Sequence, residues 1–294
     1  IHSVRLVTFV SREPVGQRFS NVPAFTGFLS PLNVCPMNDI VSRLSFLAGF
    51  NWLKTALTAC RREPFALGAI AVFYMTSMGI LSMLPFIGTL VVSLFMPFGT
   101  VLLGRGVRET LARRTPSFRL LVDIWNDRAL RQVLIQIGLF FAVGLSTVNL
   151  LFDLLAADTI AQWGTLENGR LDWSTVAGNL PWTAIVVTLV IYLPVLAATW
   201  FAPLLASEKR MPCGKALFYS FFGCLRSLAA IIVLGVLLTA VVGLGSVLVA
   251  SLISALGLAG SEMFLIVPFA FAASTVLYSV YWPMYVSLFG DSRG

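Results

Sequence analysis

Charge and histidine are what this chain has least of. Only 11% of its 294 residues are Asp, Glu, Lys or Arg, against about 25% in a soluble domain. The single histidine is His2. Beyond that position, His-based metal sites, Ser-His-Asp triads and histidine general bases are excluded. Cys35, Cys60, Cys213 and Cys224 are the four cysteines, and none forms a Cys-x-x-Cys pair. Gly104 and Gly106 are followed by no Gly-Lys-Ser/Thr ending, so they are not a phosphate loop. No catalytic, cofactor-binding or metal-binding residue is assigned, and the expectation is a protein without catalysis of its own.

Apolar sequence is what the chain has in excess: 58% of residues are hydrophobic and the mean hydropathy is +0.89. In water so much apolar surface would cost free energy in proportion to its area, and a bilayer removes that cost. A helix needs about 20 apolar residues to cross the hydrocarbon. Six stretches qualify, at about 65–83, 85–104, 133–156, 182–206, 228–256 and 263–289. The expected fold is all-α, a polytopic transmembrane bundle of six spans forming one domain over 37–294.

The formal charge of +7 suggests nucleic acid at first sight, but the basic residues flank apolar segments, which reads as orientation and anionic-lipid contact. Arg43, Lys54, Arg61 and Arg62 precede span one. Arg105, Arg108, Arg113, Arg114, Arg119, Arg128 and Arg131 lie between spans two and three, and Lys209, Arg210, Lys215 and Arg226 between spans four and five. Arg293 follows span six, while beyond Met37 only Arg170 falls on the other side. Both termini are therefore expected in the cytoplasm of a bacterial inner-membrane protein, where Cys60, Cys213 and Cys224 stay reduced. The loop 157–181 is then external, with Trp163, Trp173 and Trp182 near its interface and Asp158, Glu167 and Asp172 in it.

The first methionine is Met37, and residues 1–36 are rich in Ser, Arg, Pro and Val with no clear period. Two accounts fit: a start assigned too early, with the native chain beginning at Met37, or a disordered leader.

The even spans share an aromatic two residues ahead of a proline: Phe95-Met96-Pro97, Phe201-Ala202-Pro203 and Tyr281-Trp282-Pro283. Ser93 and Ser279 precede, and Gly104 and Gly290 follow, at matching offsets. The odd spans each follow an amphipathic segment. Its apolar stripe is Trp52, Leu53, Ala56, Leu57 and Cys60 before span one, and Leu217, Phe218, Phe221, Phe222 and Leu225 before span five. Before span three, Leu121, Val122, Trp125 and Ala129 follow the spacing, with Asn126 the exception. Such helices lie in the membrane plane while Arg61, Arg62, Lys215 and Arg226 reach phosphates. The pattern points to three repeats of interfacial helix plus transmembrane hairpin; chance remains the alternative, because aromatic-x-Pro is short. Pro97, Pro194, Pro203, Pro268 and Pro283 favour kinks, which either fit a curved bundle or open a cavity. Gly235, Gly243, Gly245, Gly257 and Gly260 suit close helix contact.

Several of these stretches are familiar. Trp200-Phe201-Ala202-Pro203-Leu204, Lys215-Ala216-Leu217, Ser220, Cys224-Leu225-Arg226-Ser227, and Trp52 with Arg61-Arg62-Glu63-Pro64 resemble an uncharacterised family of bacterial inner-membrane proteins. That family is in turn similar to the membrane domain fused to some glycerophosphodiester phosphodiesterases. The resemblance runs from about Met37 to the end. Ser227 stands where the family often has Asn, and Leu228 where it has Trp. The resemblance implies a six-span inner-membrane protein and carries no catalytic residues with it; the fused phosphodiesterase's soluble domain has no counterpart here.

Two sets of residues are candidates for function. Arg61, Arg62, Arg105, Arg108, Arg113 and Arg114 could contact anionic lipid headgroups. Asn149, Asp153 and Tyr192 are the polar groups that a pathway through the spans would use. The leading expectation is a structural or lipid-associated protein whose partners are membrane lipids, with no nucleic acid and no cofactor. The other is a transporter or channel for a small or lipid-like substrate, which would need a polar midplane cavity near the kinks.

Overall fold

The computed structural model describes residues 46–85, 87–165, 170–257 and 262–290. Residues 1–36, Met37, Arg43, Glu167, Gly260 and Arg293, which figure in the expectations above, lie outside them.

Among the described residues the regular elements are helices. α1 (Ala48–Arg62) precedes the first hairpin, α2 (Pro64–Ser82) and α3 (Gly88–Leu111). α4 (Arg119–Asn126) precedes the long α5 (Arg128–Ile160). The short α6 (Trp173–Gly178) leads to a span made of α7 (Trp182–Trp200) and α8 (Ala202–Lys209). α9 (Cys213–Arg226) precedes α10 (Leu228–Ala255), and the last span is α11 (Met263–Ser279) followed by α12 (Tyr281–Phe289). Six of these helices or helix pairs are long and apolar enough to cross a bilayer, so the chain is a polytopic transmembrane bundle. α2 opens on Pro64, whose missing N–H costs nothing in a first turn. α5 opens on Asp127, whose carboxylate accepts the Leu130 N–H at 3.1 Å.

The helices overrun the apolar stretches at the basic end. α3 continues past Gly104 to Leu111 because Val107 and Thr110 are buried there. Arg105 and Arg108 therefore stand on a helix rather than in a loop. α5 starts five residues ahead of Val133, at Arg128.

Three hairpins and three amphipathic helices pack together around α3. α4 packs on α3, and Phe118 ahead of it meets Phe73 of α2 edge-on at 5.3 Å. α9 packs along α7 and α8. α1 packs on α10, α11 and α12, the last hairpin of the chain, and also on α2 and α3. α3 is the central span: 56% of its most apolar window is buried against protein, against 11% for α10, whose surface is left for acyl chains.

Two close approaches hold the bundle. A Cβ on Gly138 of α5 would fall 2.3 Å from the Leu94 carbonyl oxygen of α3. A Cβ on Gly49 of α1 would fall 2.6 Å from the Ala230 carbonyl oxygen of α10. Of the glycines expected to serve this purpose, Gly235, Gly243 and Gly257 have open space around them, and Gly245 lies against the Phe269 ring.

The apolar stripes do not all face protein. On α1, Trp52, Leu53 and Ala56 are buried. On α4 the buried residue is Ile124, while Val122 and Trp125 are 56% and 48% exposed. On α9 the buried face is Ala216, Tyr219, Ser220, Gly223 and Cys224, and Phe218 and Leu225 point outward. In lipid a large apolar side chain loses nothing by facing out, whereas small residues let backbones come close.

The proline segments share more than an aromatic. Four residues ahead of Pro97, Pro203 and Pro283 stand Ser93, Thr199 and Ser279. Each hydroxyl donates to the carbonyl one turn back, of Thr89, Val195 and Thr275, at 2.8, 2.9 and 2.7 Å. Such bonds, with the donor each proline removes, bend a helix. α3 nevertheless runs through Pro97 unbroken, whereas the other two spans break, at Phe201 and Val280. At Phe201 the cause is visible. The Ser220 hydroxyl accepts the Phe201 N–H at 2.9 Å and donates to the Ala197 carbonyl at 2.8 Å, inserting into one rung of the helix.

Candidate functional site: the basic end

The arginine-rich end of the bundle is organised around an acid that sequence reading passed over. Glu208 lies five residues after Pro203, where the other two proline segments carry Leu102 and Leu288. All three side chains are buried, and that of Glu208 is only 5% exposed. A buried carboxylate needs charged donors close by, and α3 supplies them. Arg108 Nη1 lies 2.6 Å from Glu208 Oε2 and Arg105 Nε 3.3 Å from Oε1. The Ser207 hydroxyl adds a bond to Oε1 at 3.0 Å.

Arg108 has two further neighbours. Its Nη2 lies 3.3 Å from Glu109, and its guanidinium carbon stands 5.6 Å from the centre of the Trp282 ring of α12. One side chain thus touches groups from three even-numbered spans. Lys209 donates to the Phe289 carbonyl at the end of α12. Arg210, in left-handed conformation at φ 52°, pairs with Asp127. The Leu130 N–H first, and Arg210 second, hold the Asp127 carboxyl below the usual carboxylate range.

The six candidate headgroup arginines fall into two groups. Arg105 and Arg108 turn inward onto Glu208. Arg61, Arg62, Arg113 and Arg114 are exposed at the same end. Arg62 reaches the Leu111 carbonyl at 3.4 Å, and Arg114 reaches Glu109 at 3.5 Å. Arg113 holds a left-handed backbone at φ 59° just beyond α3.

Asn149 and Asp153 are exposed on α5, and Tyr192 is half-buried on α7. None of the three lines the cavity at the kinks. There, Pro97, Thr100, Thr199, Trp200, Pro203 and Tyr281 line a cavity of about 20 Å³, the room of about one water.

Among the described residues no three His, Cys, Asp or Glu side chains come together as a metal site would need. Burial pushes the Cys224 thiol up to about 12, which keeps it protonated and unreactive at neutral pH. At the opposite end hydrogen bonds tie the described residues of the loop together. The Trp163 indole donates to the Asn179 carbonyl at 2.8 Å, and Asp172 caps α6 through the Ser174 N–H at 3.0 Å. Trp173 and Trp182 are exposed there, as interfacial indoles are.

Only a pattern across the repeats could have found Glu208. It is the charged residue at the fifth position after a proline where the others place leucine.

No family model matches this chain, and no solved structure matches it. It is 26% identical over 258 residues to a protein of Burkholderia thailandensis named a probable inner membrane protein, an alignment covering 84% of this chain and 93% of that protein. With six apolar spans and that likeness, the chain stands as a multi-pass helical membrane protein similar to a probable inner membrane protein.

Proposed function

We propose that this is a structural, lipid-associated protein of the bacterial inner membrane, without catalysis of its own. Its basic end and both termini lie in the cytoplasm, and its partners are anionic phospholipids. One observation carries this reading. Arg105 and Arg108 are paired with Glu208 inside the bundle, while Arg61, Arg62, Arg113 and Arg114 stay exposed at the same end. Exposed basic residues beside apolar spans favour the cytoplasmic side and attract anionic headgroups, by about 1 kcal/mol each. The resemblance to the membrane domain fused to some glycerophosphodiester phosphodiesterases extends the proposal to a shared membrane architecture.

Lipids retained on purification test it. Replacing Arg61, Arg62, Arg113 and Arg114 by Gln should lower retained phosphatidylglycerol several-fold relative to phosphatidylethanolamine; unchanged retention overturns the proposal. For sidedness, an Arg113→Cys variant in intact cells should resist a membrane-impermeant maleimide, and labelling from outside overturns the orientation.

A further inference from the structure

An apolar cleft of about 410 Å³ opens between the first hairpin and α4. Its walls include Tyr74 and Ser77 of α2, Phe98 and Gly99 of α3, and Val122 and Trp125 of α4. The volume lies in the range of about 300–1,000 Å³ typical of small-molecule pockets. Phe73, Val122 and Trp125 are large apolar side chains left exposed along it. A related cleft of about 310 Å³ lies under α9, lined by Pro194, Trp200, Phe221 and Leu225 among others. At the third equivalent place a cleft of about 440 Å³ lies between α1 and α12, and it carries more polar groups, Asn51, Thr55 and Ser287 among its walls.

We infer that the cleft beside α4 seats one acyl chain of an anionic glycerophospholipid whose phosphate lies against Arg131. An acyl chain gains little from the cleft alone, because the bilayer it leaves is equally apolar. Selection must come from the headgroup, and the charge is in place for it. The Arg131 guanidinium carbon stands 5.3 Å from the centre of the Trp125 ring, and its Nη1 donates to the Trp125 carbonyl at 2.6 Å. The guanidinium is thereby held at the lip of the cleft. Arg119 opens α4 and Arg128 opens α5, so arginines bracket the helix at both ends. The acids of this segment are Asp123, exposed on α4, and Asp127, which Arg210 engages. The local balance is positive. Trp125 would then lie between chain and headgroup, the level at which an indole is best solvated. The inference rests on the proposed lipid association and deepens it, from a charged rim to one seat.

Photocrosslinking tests it on the full chain in vesicles of equal phosphatidylglycerol and phosphatidylcholine. Diazirine-acyl probes of either lipid are added and crosslinked peptides are mapped. The phosphatidylglycerol probe should label peptides covering 73–81 and 118–125 about fivefold more than the phosphatidylcholine probe, the enrichment one basic residue gives at an anionic surface. Arg131→Gln should bring that ratio to about one, and Ser77→Phe, which fills the cleft, should lower labelling by both probes. Equal labelling by the two probes in the unaltered chain, or labelling spread evenly over all six spans, overturns the inference. Total phosphatidylglycerol retained by the same samples is measured in parallel. Retention without preferential labelling at the cleft defeats this seat alone, and loss of both defeats the wider proposal.

Discussion

The Ser220 hydroxyl receives the Phe201 N–H at 2.9 Å, joining residues 19 apart in the chain. In doing so it occupies a rung that α7 and α8 would otherwise close for themselves, because it also donates to the Ala197 carbonyl at 2.8 Å. The break in span four is thus held open from α9. Ser220→Ala leaves the buried Phe201 N–H without its acceptor, while the Ala197 carbonyl keeps the Cys224 thiol at 3.5 Å. It should cost about 1–3 kcal/mol, read as a lower melting temperature in detergent, with Ser220→Thr recovering part of the loss. An alanine variant as stable as the parent would mean that the rung is not opened by the hydroxyl.

Glu208 is the keystone of the basic end. Glu208→Gln keeps the volume and removes the charge that two poorly exposed arginines face, at 14% and 20% side-chain exposure. Breaking a buried ion pair from one side costs about 3–5 kcal/mol, and the residual exposure of both arginines places this case at the low end. Chemical denaturation in mixed micelles measures it. Adding Arg105→Gln should restore part of the stability, because fewer unpaired charges remain.

Gly138→Ala tests the approach of α5 to α3. The added Cβ meets a backbone oxygen, that of Leu94, which cannot rotate away as a side chain would. A loss of about 1–3 kcal/mol follows from overpacking. Gly235→Ala, with open space around it inside α10, is the control and should raise stability by about 0.5–1 kcal/mol, the helix preference of alanine over glycine.

Arg113 separates fold from lipid contact. Its backbone sits at φ 59°, a conformation that costs a non-glycine residue about 1–2 kcal/mol. Part of that gain is returned by the freedom glycine has when unfolded. Arg113→Gly should therefore raise stability by about 0.5–1 kcal/mol while lowering phosphatidylglycerol retention. Thermal melting and lipid analysis of one sample read both.

The Asp127 carboxyl titrates lower in the folded chain than in the unfolded one. Its stabilising contribution is then fully present above the ordinary carboxylate value of about 3.9 and is lost as the pH falls through the depressed value. Asn at 127 keeps a cap for α5 but not the pair with Arg210. The stability difference between the parent and Asp127→Asn should be within about 1 kcal/mol above pH 5, since Arg210 is 63% exposed and well screened. It should shrink steadily as the pH falls below the ordinary carboxylate value. A difference that does not shrink on acidification contradicts the linkage.

Much of the architecture was readable from periodicity and composition, and the places where reading stopped have physical causes. Span two continues to Leu111 because burial of Val107 and Thr110 extends the helix beyond its apolar run, and hydropathy does not register packing. The stripe on α9 was visible, yet Phe218 and Leu225 face outward. In water such a stripe would be driven inward; against acyl chains there is no such drive, and small residues decide the contact. Ser93 and Ser279 matched by identity, but Thr199 joined them only through the same hydroxyl bond. Of the candidate arginines, nothing local distinguishes Arg108, which is clamped by Glu208 100 residues away, from Arg113, which is exposed.

The amino-acid sequence alone determined that this chain dissolves in lipid, that it does so as six helices and that its positive charge gathers at one end, because transfer free energy and charge placement act residue by residue. Tertiary structure decided which arginines point inward, which stripe faces the bilayer, and where the helices break. Those outcomes depend on a carboxylate, a hydroxyl or a bare Cα arriving from a distant segment, and no local window contains both halves of such a contact.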